Sequence, residues 1–171
     1  MSKPLTDHIC EERLFSSIFR KYSKDLHDFL YYKFGSQLNP QDKMQEAFVK
    51  LWENCAKVSQ NKAKSFLFTT ANNLMLNEYA HQKVVLKHRK IIPKNSTNIN
   101  PEFLLQEKEY KAKLEKAIAG LTEAQRVAFL MNRVEGKRFK EIAELLDIST
   151  KAVEKRIYGA LKKLRKDIDE L

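Results

Sequence analysis

The chain predicts an all-α fold: two small helical domains joined by a flexible linker, the C-terminal one containing a helix-turn-helix. Three observations carry this. Gly and Pro number only four each in 171 residues, against abundant Leu, Lys, Ala and Glu, a composition that suits helices. Apolar residues recur at helical spacing through both ends of the chain, and no alternating run demands a strand. Between those ends, Ile91 to Pro101 holds two prolines and an Asn/Ser/Thr cluster, which breaks the periodicity and reads as linker. The expected boundaries are 10–83 for the first domain, 84–105 for the linker and 106–168 for the second.

In the first domain Leu14, Phe15, Ile18, Phe19 and Tyr22 form one apolar helix face. Leu26, Phe29 and Leu30 continue into a second helix that stops near Gly35. Asn39-Pro40 opens a third, with Asn as cap and Pro in the first turn. Its inner face is Met44, Ala47, Phe48, Leu51 and Trp52, so Trp52 is expected in the core. A polar loop from Val58 to Ala63 precedes a fourth helix, where Phe66, Leu67, Thr70, Ala71, Leu74 and Met75 share a face. Val84 to Lys90 is a candidate extension of it.

In the second domain Tyr110, Leu114, Ala117, Ile118 and Leu121 lie along one helix. Thr122 to Gln125 has the form of a capping box, two side chains satisfying each other's orphan N–H groups. Val127, Leu130, Met131 and Val134 face inward on the next helix, and Gly136 stops it. A short helix from Phe139 to Leu146 then meets a tight turn at Asp147, and Ser149 caps a final helix. Along that helix Val153, Ile157, Ala160, Leu161 and Leu164 form a buried stripe. Lys151, Glu154, Lys155, Tyr158 and Lys162 fall on the other side. One stripe buried and one free to enter a major groove is how a recognition helix is built. Asp169 and Glu170 place acid at its C-terminus, which is electrostatically poor, so fraying is expected there.

The formal charge of +10 and pI near 9.5 point to a polyanionic partner. Cys10 and Cys55 lack metal-ligand spacing and follow no signal peptide, so both are expected as unpaired thiols in a reducing cytosol. His8, His27, His81 and His88 have no ligand spacing with Cys or acidic residues, so neither a metal nor a cofactor is assigned. No apolar run approaches the roughly 20 residues that cross a bilayer, and no membrane insertion is expected.

Three motifs resemble the sigma factors of bacterial RNA polymerase, specifically the extracytoplasmic-function group. Asp42-Lys43-Met44-Gln45-Glu46-Ala47-Phe48-Val49-Lys50-Leu51-Trp52 looks like the polymerase-binding helix of sigma domain two. Phe66 to Tyr79 looks like its promoter-melting helix. Leu121 to Arg165 looks like sigma domain four. The chain departs from the family pattern at Phe66 (usually Trp), Asn77 (usually Asp), His81 (commonly Arg) and Asp147 (usually Gly). Asp tolerates a left-handed turn better than most residues.

The resemblance implies a non-enzymatic cytoplasmic subunit that binds core RNA polymerase and promoter DNA, with an anti-sigma protein as a further partner. Asp42, Gln45, Glu46 and Lys50 would dock on the polymerase. Lys151, Glu154, Lys155 and Tyr158 would read base edges of the upstream element, while Arg156, Lys162, Lys163 and Arg165 meet phosphates. Glu154 could accept from a cytosine amino group or pair with Lys151 or Lys155. Opening DNA without ATP requires capture of unpaired bases, because unstacking costs a few kcal/mol per base. Asn61, Lys62, Asn73 and Asn77 are candidates to read a flipped base, and Lys64, His81 and Lys83 to hold its backbone. For Asn73 the competing assignment is a helix-packing hydrogen bond. A linker of roughly twenty residues stretches about 70 Å, enough to span about two DNA turns.

Two other classes stay open on residues alone. A stand-alone helix-turn-helix regulator would need a dimer face, and no heptad run supplies one. A recombinase or nuclease would need a nucleophile or a carboxylate cluster, and Ser16, Ser17 and Tyr22 lack convergent Arg groups.

Overall fold

No breaker interrupts the chain between Glu12 and Phe34, and α1 spans it as one 23-residue helix rather than the two expected. Ser23, Lys24 and Asp25, between the two expected apolar faces, continue the helix. Gly35, at φ 81°, ends α1, and its N–H reaches back to the Tyr31 carbonyl at 2.8 Å. The structure, a computed structural model, describes residues 9–88 and 102–169; the side chains of 83–88, 102–108 and 169 are outside that description. Most of the expected linker therefore lies outside the described residues.

The chain divides into two compact units, residues 1–89 and 90–171. In the first, α2 (Pro40–Glu53) and α3 (Ala63–His88) pack on α1 and on each other. Asn39 starts α2 by a route different from the expected side-chain cap. Its backbone is left-handed, at φ 48° and ψ 65°, and its side chain makes no cap bond. Instead its carbonyl accepts the N–H groups of Asp42 and Lys43 at 3.1 and 3.2 Å. Pro40 needs no donor partner at that position. A single 3-10 turn, Gln60–Lys62, leads into α3.

Ile18, Leu26 and Leu30 of α1, Met44, Ala47, Phe48 and Leu51 of α2, and Leu67, Ala71 and Met75 of α3 form the core of this unit. Their three- and four-residue spacing is the helical stripe that the sequence shows. Ile9, ahead of α1, is fully buried in the same cluster. Trp52 is not core: it is 45% exposed. It follows Phe48 by four residues, about 40° further round the helix, and that small rotation carries it to the rim.

The two cysteines are joined, against the expectation of free thiols. Cys10 and Cys55 form a disulfide across 45 residues, with Cα atoms 5.0 Å apart. Burial of Ile9 turns the segment before α1 back onto the unit. There it meets the turn after α2, where the Cys55 N–H bonds the Trp52 carbonyl at 3.1 Å.

The second unit holds α4 (Glu102–Ala119), α5 (Glu123–Arg133), α6 (Phe139–Leu146) and α7 (Thr150–Asp169). The helix expected from 106 thus begins at Glu102. Glu170 and Leu171 lie outside the described residues, so the expected fraying falls there in part. Helix α7 packs against α4, α5 and α6, and Val153, Ile157, Ala160 and Leu164 are its buried stripe. Leu161 is only partly buried. No strand occurs among the described residues.

Candidate nucleic-acid interface

The helix-turn-helix is α6 followed by α7, and local chemistry sets each of its joints. At the entry to α6 the Glu141 carboxylate accepts the Arg138 N–H at 2.6 Å. At the exit Asp147 is left-handed, at φ 57° and ψ 46°. Its own N–H and that of Ile148 both point to the Ala143 carbonyl, the latter at 3.0 Å. The Ile148 bond is the six-to-one closure of a Schellman turn. Ser149 Oγ then accepts the Ala152 N–H at 3.1 Å and caps α7.

That cap directs Lys151, Glu154, Lys155, Tyr158 and Lys162 outward: all five are exposed, Tyr158 at 59%. Arg156 is half-buried. Lys163 is exposed but engaged, its ammonium donating to the Gly120 carbonyl across 43 residues. Arg126 donates to the carbonyls on either side, Ala119 and Leu121, at 3.3 Å each. The α4–α5 turn is thus gripped by two cations. The same turn carries the expected capping box: Thr122 Oγ1 accepts the Gln125 N–H, and Gln125 Oε1 accepts the Thr122 N–H, both at 3.3 Å.

In the first unit the 3-10 turn and α3 offer a second surface. Asn61 and Lys62 are exposed, and Asn61 Oδ1 accepts the Ser59 hydroxyl at 2.5 Å, which fixes the loop tip. Lys64 is half-buried. Asn73, Asn77 and His81 are exposed along α3. The packing hydrogen bond weighed for Asn73 belongs to its neighbour: Asn72 Oδ1 accepts Lys33 Nζ of α1 at 2.7 Å. The Lys83 side chain lies outside the described ones. Leu76 and Tyr79 stand 46% and 49% exposed on the same helix. Sequence reading left them out, although large apolar side chains among polar ones on an outer stripe were the available sign.

On α2, Asp42 and Gln45 are exposed, and Glu46 and Lys50 are half-buried. Glu46 accepts from Lys43 at 3.4 Å, and Lys43 also lies 3.7 Å from Glu78 of α3, an ion-pair link between the two helices. Val49, 56% exposed, and Trp52 share this outer surface. Phe15 supports Trp52 edge-on at 5.0 Å, while Phe15 and Phe19 both contact Phe48, with ring centroids at 6.2 and 4.8 Å. The result is an aromatic-bearing face with a charged rim. Among the described residues no group of acidic, His and Cys side chains could hold a metal, and no helix is long and apolar enough to cross a membrane.

Comparison with known proteins puts these surfaces in a family. Residues 18–84 match sigma-70 region 2, and residues 111–164 match sigma-70 region 4. The ferric citrate uptake sigma factor FecI of Escherichia coli (strain K12) is 25% identical over 150 residues, 86% of either chain. Among solved structures, CnrH in complex with the cytosolic domain of CnrY is similar in fold, with TM-score 0.56 and 20% identity over 94% of this chain and 90% of that one. The sigma factor RpoE in complex with the anti-sigma factor NepR from Bartonella quintana has TM-score 0.56 and 17% identity, over 91% and 96%. With region 2 and region 4 in that order on one helical chain, the protein belongs to the sigma-70 family, in its extracytoplasmic-function group.

Proposed function

We propose that this chain is a transcription initiation subunit that binds core RNA polymerase, recognises two promoter elements and helps to open the duplex. The observation that carries it is the pairing of region 2 and region 4 on one chain, with a capped helix-turn-helix that exposes Lys151, Glu154, Lys155 and Tyr158. In this reading α7 enters the major groove of the upstream element. Lys151, Glu154, Lys155 and Tyr158 address base edges, and Arg156 and Lys162 address phosphates. Asn61, Lys62, Asn73 and Asn77 capture an unpaired base, with Tyr79 as a stacking surface. Lys64, His81 and Lys83 hold the displaced backbone. The face of Asp42, Gln45, Glu46 and Lys50, with Val49 among them and Trp52 at its C-terminal end, docks on the polymerase. An anti-sigma protein, such as the NepR bound to RpoE, is the expected restraint. The protein acts by binding, and no cofactor is assigned.

Two small DNA readers on a tether gain effective concentration only when something fixes their separation. The free protein should therefore bind promoter duplex weakly, and specifically once joined to core polymerase. Gel filtration with core enzyme, followed by footprinting with and without it, tests this. Failure to co-elute, together with a tight footprint by an isolated dimer, would return the protein to the stand-alone regulators.

A further inference from the structure

We propose that the Cys10–Cys55 disulfide is a redox latch on the polymerase-docking face, and that the oxidised form binds core polymerase more tightly than the reduced form. The inference rests on the docking role proposed above for α2. The bond brackets the aromatic pair at the end of that face, where α2 finishes at Glu53. Cys10 lies five residues before Phe15, Cys55 lies three residues after Trp52, and the rings of Phe15 and Trp52 meet edge-on at 5.0 Å. The Cys55 N–H bonds the Trp52 carbonyl, so the linked residue sits on the same turn as the indole. On the Cys10 side the anchor is short: Ile9 is buried in the core, and the helix begins at Glu12. With the bond closed, the start of α1 and the end of α2 are held together beneath Trp52. With it open, the leading segment keeps the burial of Ile9 and the bond from the Phe15 N–H to the Glu11 carbonyl, but loses its covalent tie to α2.

The chemistry favours a bond that opens. Cys10 is exposed and Cys55 is half-buried, so a thiolate reaches the Cys10 sulfur first and Cys55 departs as thiolate. A dithiol reductant completes the exchange: its first sulfur forms a mixed disulfide with Cys10, and its second displaces Cys10. Two electrons and two protons pass to the protein sulfurs, and the reductant leaves as its own disulfide. A promoter-binding subunit works where DNA is. In the compartments that hold DNA, protein disulfides of mesophiles are usually transient and redox-sensing.

Trp52 is the single Trp of the chain, so its emission reports the latch without any partner. The full-length protein would be oxidised with oxidised glutathione and then titrated with dithiothreitol, counting thiols by alkylation and mass spectrometry. Emission should move to longer wavelength as two thiols appear and return on reoxidation. Cys10→Ser and Cys55→Ser should both emit like the reduced protein and ignore dithiothreitol. Affinity for core polymerase should fall about three- to tenfold on reduction, as expected when one or two interface side chains must be re-ordered on binding, and Cys10→Ser should match that lower affinity. Two free thiols persisting under oxidised glutathione, or equal affinities in both redox states and in Cys10→Ser, would overturn the latch. Absence of core binding by either form, with the reversible Trp52 shift intact, would remove the docking role itself and the affinity claim with it.

Discussion

Asp147 is the residue whose replacement should make the helix-turn-helix more stable. It occupies the left-handed region at φ 57° and ψ 46°, where an ordinary L-residue pays roughly 1–2 kcal/mol and Asp somewhat less. Glycine removes that cost and adds about 0.4–1 kcal/mol of unfolded-chain entropy. The carboxylate is exposed and has no hydrogen-bond or ion-pair partner among the described residues, so nothing is lost with it. Its position at the end of α6 is unfavourable to the helix dipole, but α7 begins three residues later at Thr150, and the two dipole effects oppose each other. Asp147→Gly should therefore stabilise the second unit by about 0.5–1 kcal/mol, and Asp147→Ala should destabilise it by a similar amount. For a unit of about 80 residues that is a rise in midpoint of roughly 2–8 °C for glycine. Far-ultraviolet circular dichroism would follow all helices, while Trp52 fluorescence reports the first unit alone. The order Gly above Asp above Ala is expected in the dichroism transition, with the fluorescence transition unmoved. A glycine variant less stable than the parent would show that the carboxylate supplies a contact, and the strain argument would fall.

The remaining predictions concern the two interfaces and the α5–α7 contact. Lys163→Ala should leave the salt dependence of promoter binding unchanged, because its ammonium is held by Gly120, whereas Lys162→Ala should lower the slope by about one unit; binding isotherms across a salt series decide between the two assignments. Asp42→Lys should weaken core-polymerase binding with the helical content intact, while Glu46→Lys should also cost up to about 1 kcal/mol of stability by breaking its pair with Lys43, read by affinity and urea unfolding together. A methyl group at Gly159 would sit 2.8 Å from Gln125 Nε2. Gly159→Ala should thus gain less than the roughly 1 kcal/mol of helix propensity unless Gln125→Ala is made too, and the unfolding cycle should show a coupling of about 0.5–1 kcal/mol.

What the sequence made legible was local. Ser149 before α7, the Thr122–Gln125 box and the left-handed Asp147 involve residues within a few positions of one another, where chain geometry leaves few alternatives. Most of the buried stripes were legible for the same reason, since helical spacing repeats every turn, but Phe19, Tyr110 and Val134, expected on inner faces, stand 40%, 59% and 64% exposed. Contacts between distant residues were not. Cys10 with Cys55, Lys33 with Asn72, and Lys163 with Gly120 depend on how helices pack, which no short window contains. Lys163 on α7 was read as a phosphate ligand from its local charge, because its Gly120 acceptor lies 43 residues away in the chain. Trp52 failed differently: periodicity placed it within one residue's rotation of the core edge, too coarse a measure to separate rim from interior.

Helix α7 is at once the wall on which α4, α5 and α6 rest and the surface proposed above to face DNA. The two duties fall on separate stripes, Val153, Ile157, Ala160 and Leu164 on one, Lys151, Glu154, Lys155 and Tyr158 on the other. Exchanges on the outer stripe disturb no packing and change folding free energy little. A lineage could therefore walk from one promoter sequence to another by single substitutions, each intermediate still folded, and a laboratory library restricted to these four positions should retain nearly all of its members as soluble protein.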